Sequence, residues 1–105
     1  MSVNAFEEVY KDTNIVDVRK PGEFAADHIV DAQHYPLDFI NSRLNELDKG
    51  TKYHVHCAGG YRSVIAISIL MQNGYDQLVN ITEGYRAFAG TSIELTDFVC
   101  PSTLK

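Results

Sequence analysis

Apolar positions change their spacing several times along the 105 residues of this chain, and each change marks an expected element. Phe6, Val9 and Tyr10 recur at helical intervals, and Asn4 stands three positions before Glu7, the spacing of a capping box, so a short helix opens the chain. The stretch Asn14-Ile15-Val16-Asp17-Val18 is compact and β-branched, which predicts a buried strand over residues 15–18 before Pro21-Gly22 interrupts it. Pro21 suits the first turn of a helix covering 23–27. A short strand is expected over 31–35, closed by Pro36. Asp38 can then cap a helix that puts Phe39, Ile40, Leu44 and Leu47 on one face and ends at Gly50. Alternation returns over 52–56 as a strand, and the mostly apolar run 62–73 reads as a helix stopped by Gly74. A further strand is expected over 78–81 and a brief helix over 84–89. Residues 90–105 have no convincing period and read as an irregular or helical tail.

Strands alternating with helices over this length call for crossover connections and a mainly parallel sheet covered on both faces, a three-layer α/β architecture. A chain of this size buries roughly 65% of its unfolded surface, enough for one core, so residues 1–105 are read as a single domain. Ligands of such sheets bind outside the carboxyl ends of the strands. Cys57 and the Asp17-Val18-Arg19 turn both fall there.

Composition narrows the function classes. The hydrophobic fraction is 45% and the charged fraction 22%, ordinary values for a folded domain. The net charge of -5 is carried wholly by residues 1–50, which hold ten acids and five bases, whereas residues 51–105 hold four of each. No basic stripe is present to release counterions from phosphates, so no nucleic-acid partner is expected. Two cysteines, Cys57 and Cys100, are too few for a disulfide scaffold or a structural zinc site, which favours a reducing, cytoplasmic setting. No charged-then-apolar leader opens the chain and the longest strongly apolar stretch, 64–71, is far shorter than a membrane span. A soluble protein without a membrane partner is expected.

The chemistry concentrates in Cys57-Ala58-Gly59-Gly60-Tyr61-Arg62, which leaves a strand and enters a helix. A loop of small residues at such a junction can turn several backbone N–H groups inward while the helix adds its positive dipole end. That cradle suits an anion, and the nearest candidate is the Cys57 thiolate. His54 and His56 share a face of their strand, a spacing able to bind a metal, but no further ligand is apparent; packing or hydrogen bonding is the expected role, as for His28 and His34. No metal and no cofactor is expected. Cys100 has the chemistry to resolve a modified Cys57 only if the tail folds back.

Taken in order, Ile15-Val16-Asp17-Val18-Arg19, Glu23-Phe24, His28-Ile29, Ala32, the loop from Cys57 to Ser63 and Gly84 before an aromatic resemble the rhodanese-like domain, over about residues 15–89. The resemblance implies a five-stranded parallel sheet flanked by helices and sulfurtransferase chemistry at one cysteine. Cys57 would accept sulfur as a persulfide, the amides of Ala58, Gly59, Gly60, Tyr61 and Arg62 would line its pocket, and Arg62 would fix the loop and add positive charge. Ser63 would support the loop; Asp17 and Arg19 match positions that brace loops at the rim of the same face. Thiosulfate or a persulfide would be the donor and a thiol or other nucleophile the acceptor. The loop also resembles that of rhodanese domains fused to metallo-β-lactamase-type persulfide dioxygenases, which implies a fused or associated metalloenzyme domain.

Two departures bear on the donor. Position 58 is Ala where some thiosulfate-using relatives carry a basic residue, and Val30-Asp31 replaces the usual Pro-Gly; the first weakens the case for thiosulfate. Two alternatives remain open, a Cys-dependent phosphatase or arsenate reductase, and a noncatalytic binding or regulatory module. The phosphatase signature resembled here places five residues between Cys and Arg, whereas four separate Cys57 from Arg62, a smaller ring that suits one added sulfur better than a phosphoryl group.

Overall fold

A computed structural model describes residues 1–96. The elements are helix α1 (Val3–Val9), strand β1 (Asn14–Asp17), helix α2 (Pro21–Ala26), strand β2 (Gln33–His34), strand β3 (Tyr53–His56), helix α3 (Tyr61–Gln72) and strand β4 (Leu78–Asn80). Short 3-10 turns cover Tyr10–Asp12, Leu37–Ser42, Leu44–Glu46 and Tyr85–Phe88. All strands are parallel and ordered β2-β1-β3-β4, with Val16 opposite Val55 and Val55 opposite Asn80. β1 and β3 therefore lie inside the sheet, and their alternation sorts side chains onto two apolar layers. Val16, Val18, Tyr53 and Val55 pack with Ala66 and Leu70 of α3 and with Ile40 and Leu47. Ile15 faces the other way, onto Val3 and Phe6 of α1 and onto Ile81, Phe88 and Ile93. The α/β fold class read from the sequence is the one observed.

Several elements differ from expectation. The cap of α1 is Ser2, not Asn4: the Ser2 backbone is extended and its hydroxyl accepts the Ala5 N–H at 3.2 Å. Glu7 is drawn instead to the Ser92 N–H. Pro21 does open α2, and Glu23 accepts the Lys20 N–H at 3.0 Å. The helix expected after Asp38 is replaced by the two 3-10 turns. Backbone bonds there close over three residues, from the Arg43 N–H to the Ile40 carbonyl at 3.2 Å and from the Glu46 N–H to the Arg43 carbonyl at 3.0 Å, and the buried Tyr35 hydroxyl also reaches these two carbonyls, at 3.4 and 2.6 Å. Ile40 and Leu47 are buried as expected, but Phe39 is exposed.

β2 is also shorter than the run 31–35, because Asp31 adopts a left-handed turn (φ 70°) at its start. The sheet has four strands among the described residues rather than five. Among the described residues, the segment after Gly90 contributes the antiparallel bridge from Ile29 to Leu95, together with bonds from the Val30 N–H to the Glu94 carbonyl and from the Thr96 N–H to the His28 carbonyl. No helix among the described residues is long and apolar enough to cross a membrane. Cys100 and the rest of the tail's final residues, 97–105, lie outside the described residues.

Candidate active site

Cys57 follows β3, at the carboxyl edge of the sheet's interior, where strand ends and helix starts meet. The three residues that follow must reverse the chain into α3. Gly60 does so as the N-cap with φ 91°, and a Cβ there would collide with the Thr82 carbonyl oxygen. The turn aims the Gly60 N–H at the Cys57 sulfur, 3.0 Å away, and places Ser63 Oγ 3.6 Å from it. The neutral thiol donates to this hydroxyl, which in turn donates to the Gly60 carbonyl at 3.2 Å; on ionisation the hydroxyl can rotate to donate to sulfur.

Burial alone would push the Cys57 thiol up. The Ser63 hydroxyl and the amides of Ser63, Gly60 and Gly59 outweigh it, so the thiol is held below its ordinary value. The first turn of the twelve-residue α3 adds its dipole in the same direction. Of the loop amides expected around the sulfur, those of Gly59 and Gly60 bear on it, joined by Ser63, which is a direct partner and not only a support. The Tyr61 side chain turns outward and is 83% exposed, whereas Cys57 is 1% exposed. A reactant must reach the sulfur through the loop mouth.

Arg62 holds the loop by an ion pair that the sequence reading did not identify. Its two terminal nitrogens donate to Glu23 Oε1 (2.6 Å) and Oε2 (3.0 Å), joining the start of α3 to α2 across 39 positions. The geometry is end-on and bidentate. The Arg62 hydrogen bonds hold the Glu23 carboxyl down at about 2, against the opposing effect of burial. Pro21 was the available signal, because a helix beginning there sets Glu23 in its first turn, facing a neighbouring element.

Asp17 and Arg19 lie beneath the loop, not at its rim: both are buried, at 0% and 4% exposure. Arg19 grips both Asp17 carboxylate oxygens at 2.8 to 3.0 Å, donates to the Asp27 carbonyl at 2.7 Å and lies over the Tyr85 ring at 3.9 Å. It thus ties β1 to the end of α2 and to the 85–88 turn. His56 is fully buried, with Nε2 3.6 Å from Asp17 Oδ2 and its ring edge against Phe88. Burial holds His56 below its ordinary value. His54 stacks on Phe6 and is held down for the same reason. Among the described residues no three His, Cys, Asp or Glu side chains form a metal cluster. His28 and His34 stack on Phe24, with ring centroids at 3.7 and 4.3 Å.

Residues 82–85 form the floor of the cysteine loop. The Tyr85 N–H donates to the Cys57 carbonyl at 2.7 Å, and Gly84 packs against the Ala58 and Cys57 backbone. A cavity of about 330 Å³ lies elsewhere: Tyr10, Lys11, Thr13, Ile15, Val30, Asp31 and Glu94 line it at the other end of β1.

Residues 2–91 match the family model described as a rhodanese-like domain. A protein named sulfurtransferase from Allochromatium vinosum is 37% identical over 79 residues, which is 75% of this chain and 74% of that protein. Among solved structures, a rhodanese-like domain protein from Staphylococcus aureus superimposes with a TM-score of 0.79 at 32% identity, covering 90% of this chain and 96% of that one. A rhodanese-related protein from Thermoplasma volcanium gives 0.82 at 25% identity, covering 91% and 95%.

Proposed function

Because this chain belongs to the rhodanese-like domain family, we propose that it works as a sulfurtransferase with Cys57 as the nucleophile. Family membership and the sulfurtransferase-named relative support the general role. The observation that carries the assignment to Cys57 is the Gly60 N–H at 3.0 Å from its sulfur, reinforced by Ser63, in a site where the thiol is already held below its ordinary value.

In the first step the Cys57 thiolate attacks the outer sulfur of a donor, thiosulfate or a persulfide. A new S–S bond forms as the donor's own bond to that sulfur breaks, and the electron pair leaves with sulfite or a thiolate. Cys57 is left as a persulfide. In the second step an acceptor thiolate attacks the outer sulfur, takes it and releases the Cys57 thiolate. The same backbone donors serve the anion at the start and end of each step, without reorganising at the moment of reaction. No cofactor enters either step.

The test is intact mass after incubation with thiosulfate or cysteine persulfide. Gain of the mass of one sulfur, lost in Cys57→Ser and discharged by a thiol, is the expected result. No gain with any donor would overturn the proposal.

A further inference from the structure

Arg62 is the one charged residue between Cys57 and Gln72, so the whole loop and α3 carry a single cation. That cation is already matched. Glu23 meets it end-on at 2.6 and 3.0 Å and is itself anchored by the Lys20 N–H at 3.0 Å, so the carboxylate does not depend on Arg62 alone for its place. The remaining buried cation beneath the loop, Arg19, is spent on Asp17. In the small recess beside Arg62, Lys20 is accompanied by Asp38. What faces the sulfur is therefore a set of N–H and O–H dipoles around one atom, suited to a single negative charge at Sγ, while the Arg62 and Arg19 cations are each paired with a carboxylate.

Resting on the sulfurtransferase reading, we infer that Glu23 determines donor specificity: by neutralising Arg62 it sets the site against dianionic sulfur donors and in favour of persulfides that leave as a monothiolate. The two donor classes differ in the charge they bring. Attack on thiosulfate joins a thiolate to a dianion and releases sulfite, so three negative charges share the loop mouth throughout. Attack on a protonated persulfide joins the thiolate to a neutral –S–SH group and releases one thiolate, with one negative charge throughout. A free guanidinium would relieve the first case far more than the second. Glu23 acts through Arg62, and is a positioning residue rather than a catalytic one.

The test measures kcat and KM for thiosulfate and for cysteine persulfide, whose amine and carboxylate cancel, in the wild type, Glu23→Gln and Glu23→Asp. The ratio of kcat/KM for thiosulfate to that for the persulfide should rise about tenfold in Glu23→Gln, mainly through a lower thiosulfate KM, and the rise should shrink with added salt. Glu23→Asp, which keeps the charge, should keep the wild-type ratio. Equal falls with both donors in Glu23→Gln, or a wild type that prefers thiosulfate, would overturn the inference while leaving the sulfurtransferase reading intact. Absence of Cys57 persulfide in the wild type with either donor would overturn that reading, and this inference with it.

Discussion

Gly84→Ala tests whether the floor of the cysteine loop holds it in place. Gly84 has φ 79° and ψ -174°, a region occupied almost only by glycine, where a side chain costs about 1–3 kcal/mol. The added Cβ would also lie 2.6 Å from the Ala58 carbonyl carbon and 2.9 Å from the Cys57 carbonyl oxygen. These are backbone atoms that cannot swing aside, so an overpacking cost of about 1–3 kcal/mol adds to the first. Gly90 is the control, since it too has positive φ (80°) but an added Cβ meets nothing within 4 Å. Gly90→Ala should cost about 1 kcal/mol. The expected gap between the variants is about 2–3 kcal/mol, or roughly 10–20 °C in Tm for a domain near this size. Urea and thermal melts measure it, and the rate of Cys57 alkylation in the folded state reports whether the loop has moved. Equal destabilisation by the two variants, with unchanged Cys57 reactivity, would refute the claim that Gly84 is required by close backbone approach.

Ser63→Ala removes the hydroxyl partner of the sulfur. The pH profile of iodoacetamide alkylation should move to higher pH, and the rate at pH 7 should fall roughly tenfold, the worth of a charge-assisted hydrogen bond of about 1.5 kcal/mol; an unchanged profile would remove Ser63 from the site. His54 and His56 are both held below the ordinary histidine value by burial, so below pH 6.5 the unfolded chain binds more protons than the folded one. Their contribution to stability is therefore full above pH 6.5 and is lost as pH falls. Urea midpoints should drop between pH 7 and 5, less steeply in His54→Phe, and a rise on acidification through that window would contradict this account.

Local signals carried most of the fold. The β-branched run at 15–18, the alternation over 52–56, Pro21 before a helix and Gly74 after one each act within a few residues, so they could be read without knowing the neighbours. The cysteine loop was legible for the same reason: its glycines, its thiol and its arginine are contiguous. Where a distant group competed with the local preference, the reading failed. The helix expected over Asp38 to Leu47 is instead a pair of 3-10 turns, whose Ile40 and Arg43 carbonyls are shared between backbone N–H groups and the Tyr35 hydroxyl in the core. The expected Asn4 capping box was lost because Ser2 holds the cap and the Glu7 carboxylate is taken by the Ser92 N–H, 85 positions away.

The sequence by itself determined an alternating α/β chain with one cysteine set where a strand hands over to a helix, because hydrophobic period, turn chemistry and residue order are properties of short segments. Only the tertiary structure decided which groups meet across elements. Parallel crossovers bring α2 beside the start of α3, so that Glu23 closes on Arg62, and bring the 82–85 turn under Cys57, so that Gly84 bears its backbone. They also sink Asp17 and Arg19 below the loop. Such pairings depend on which elements the sheet order makes adjacent, and no window of the sequence contains both partners.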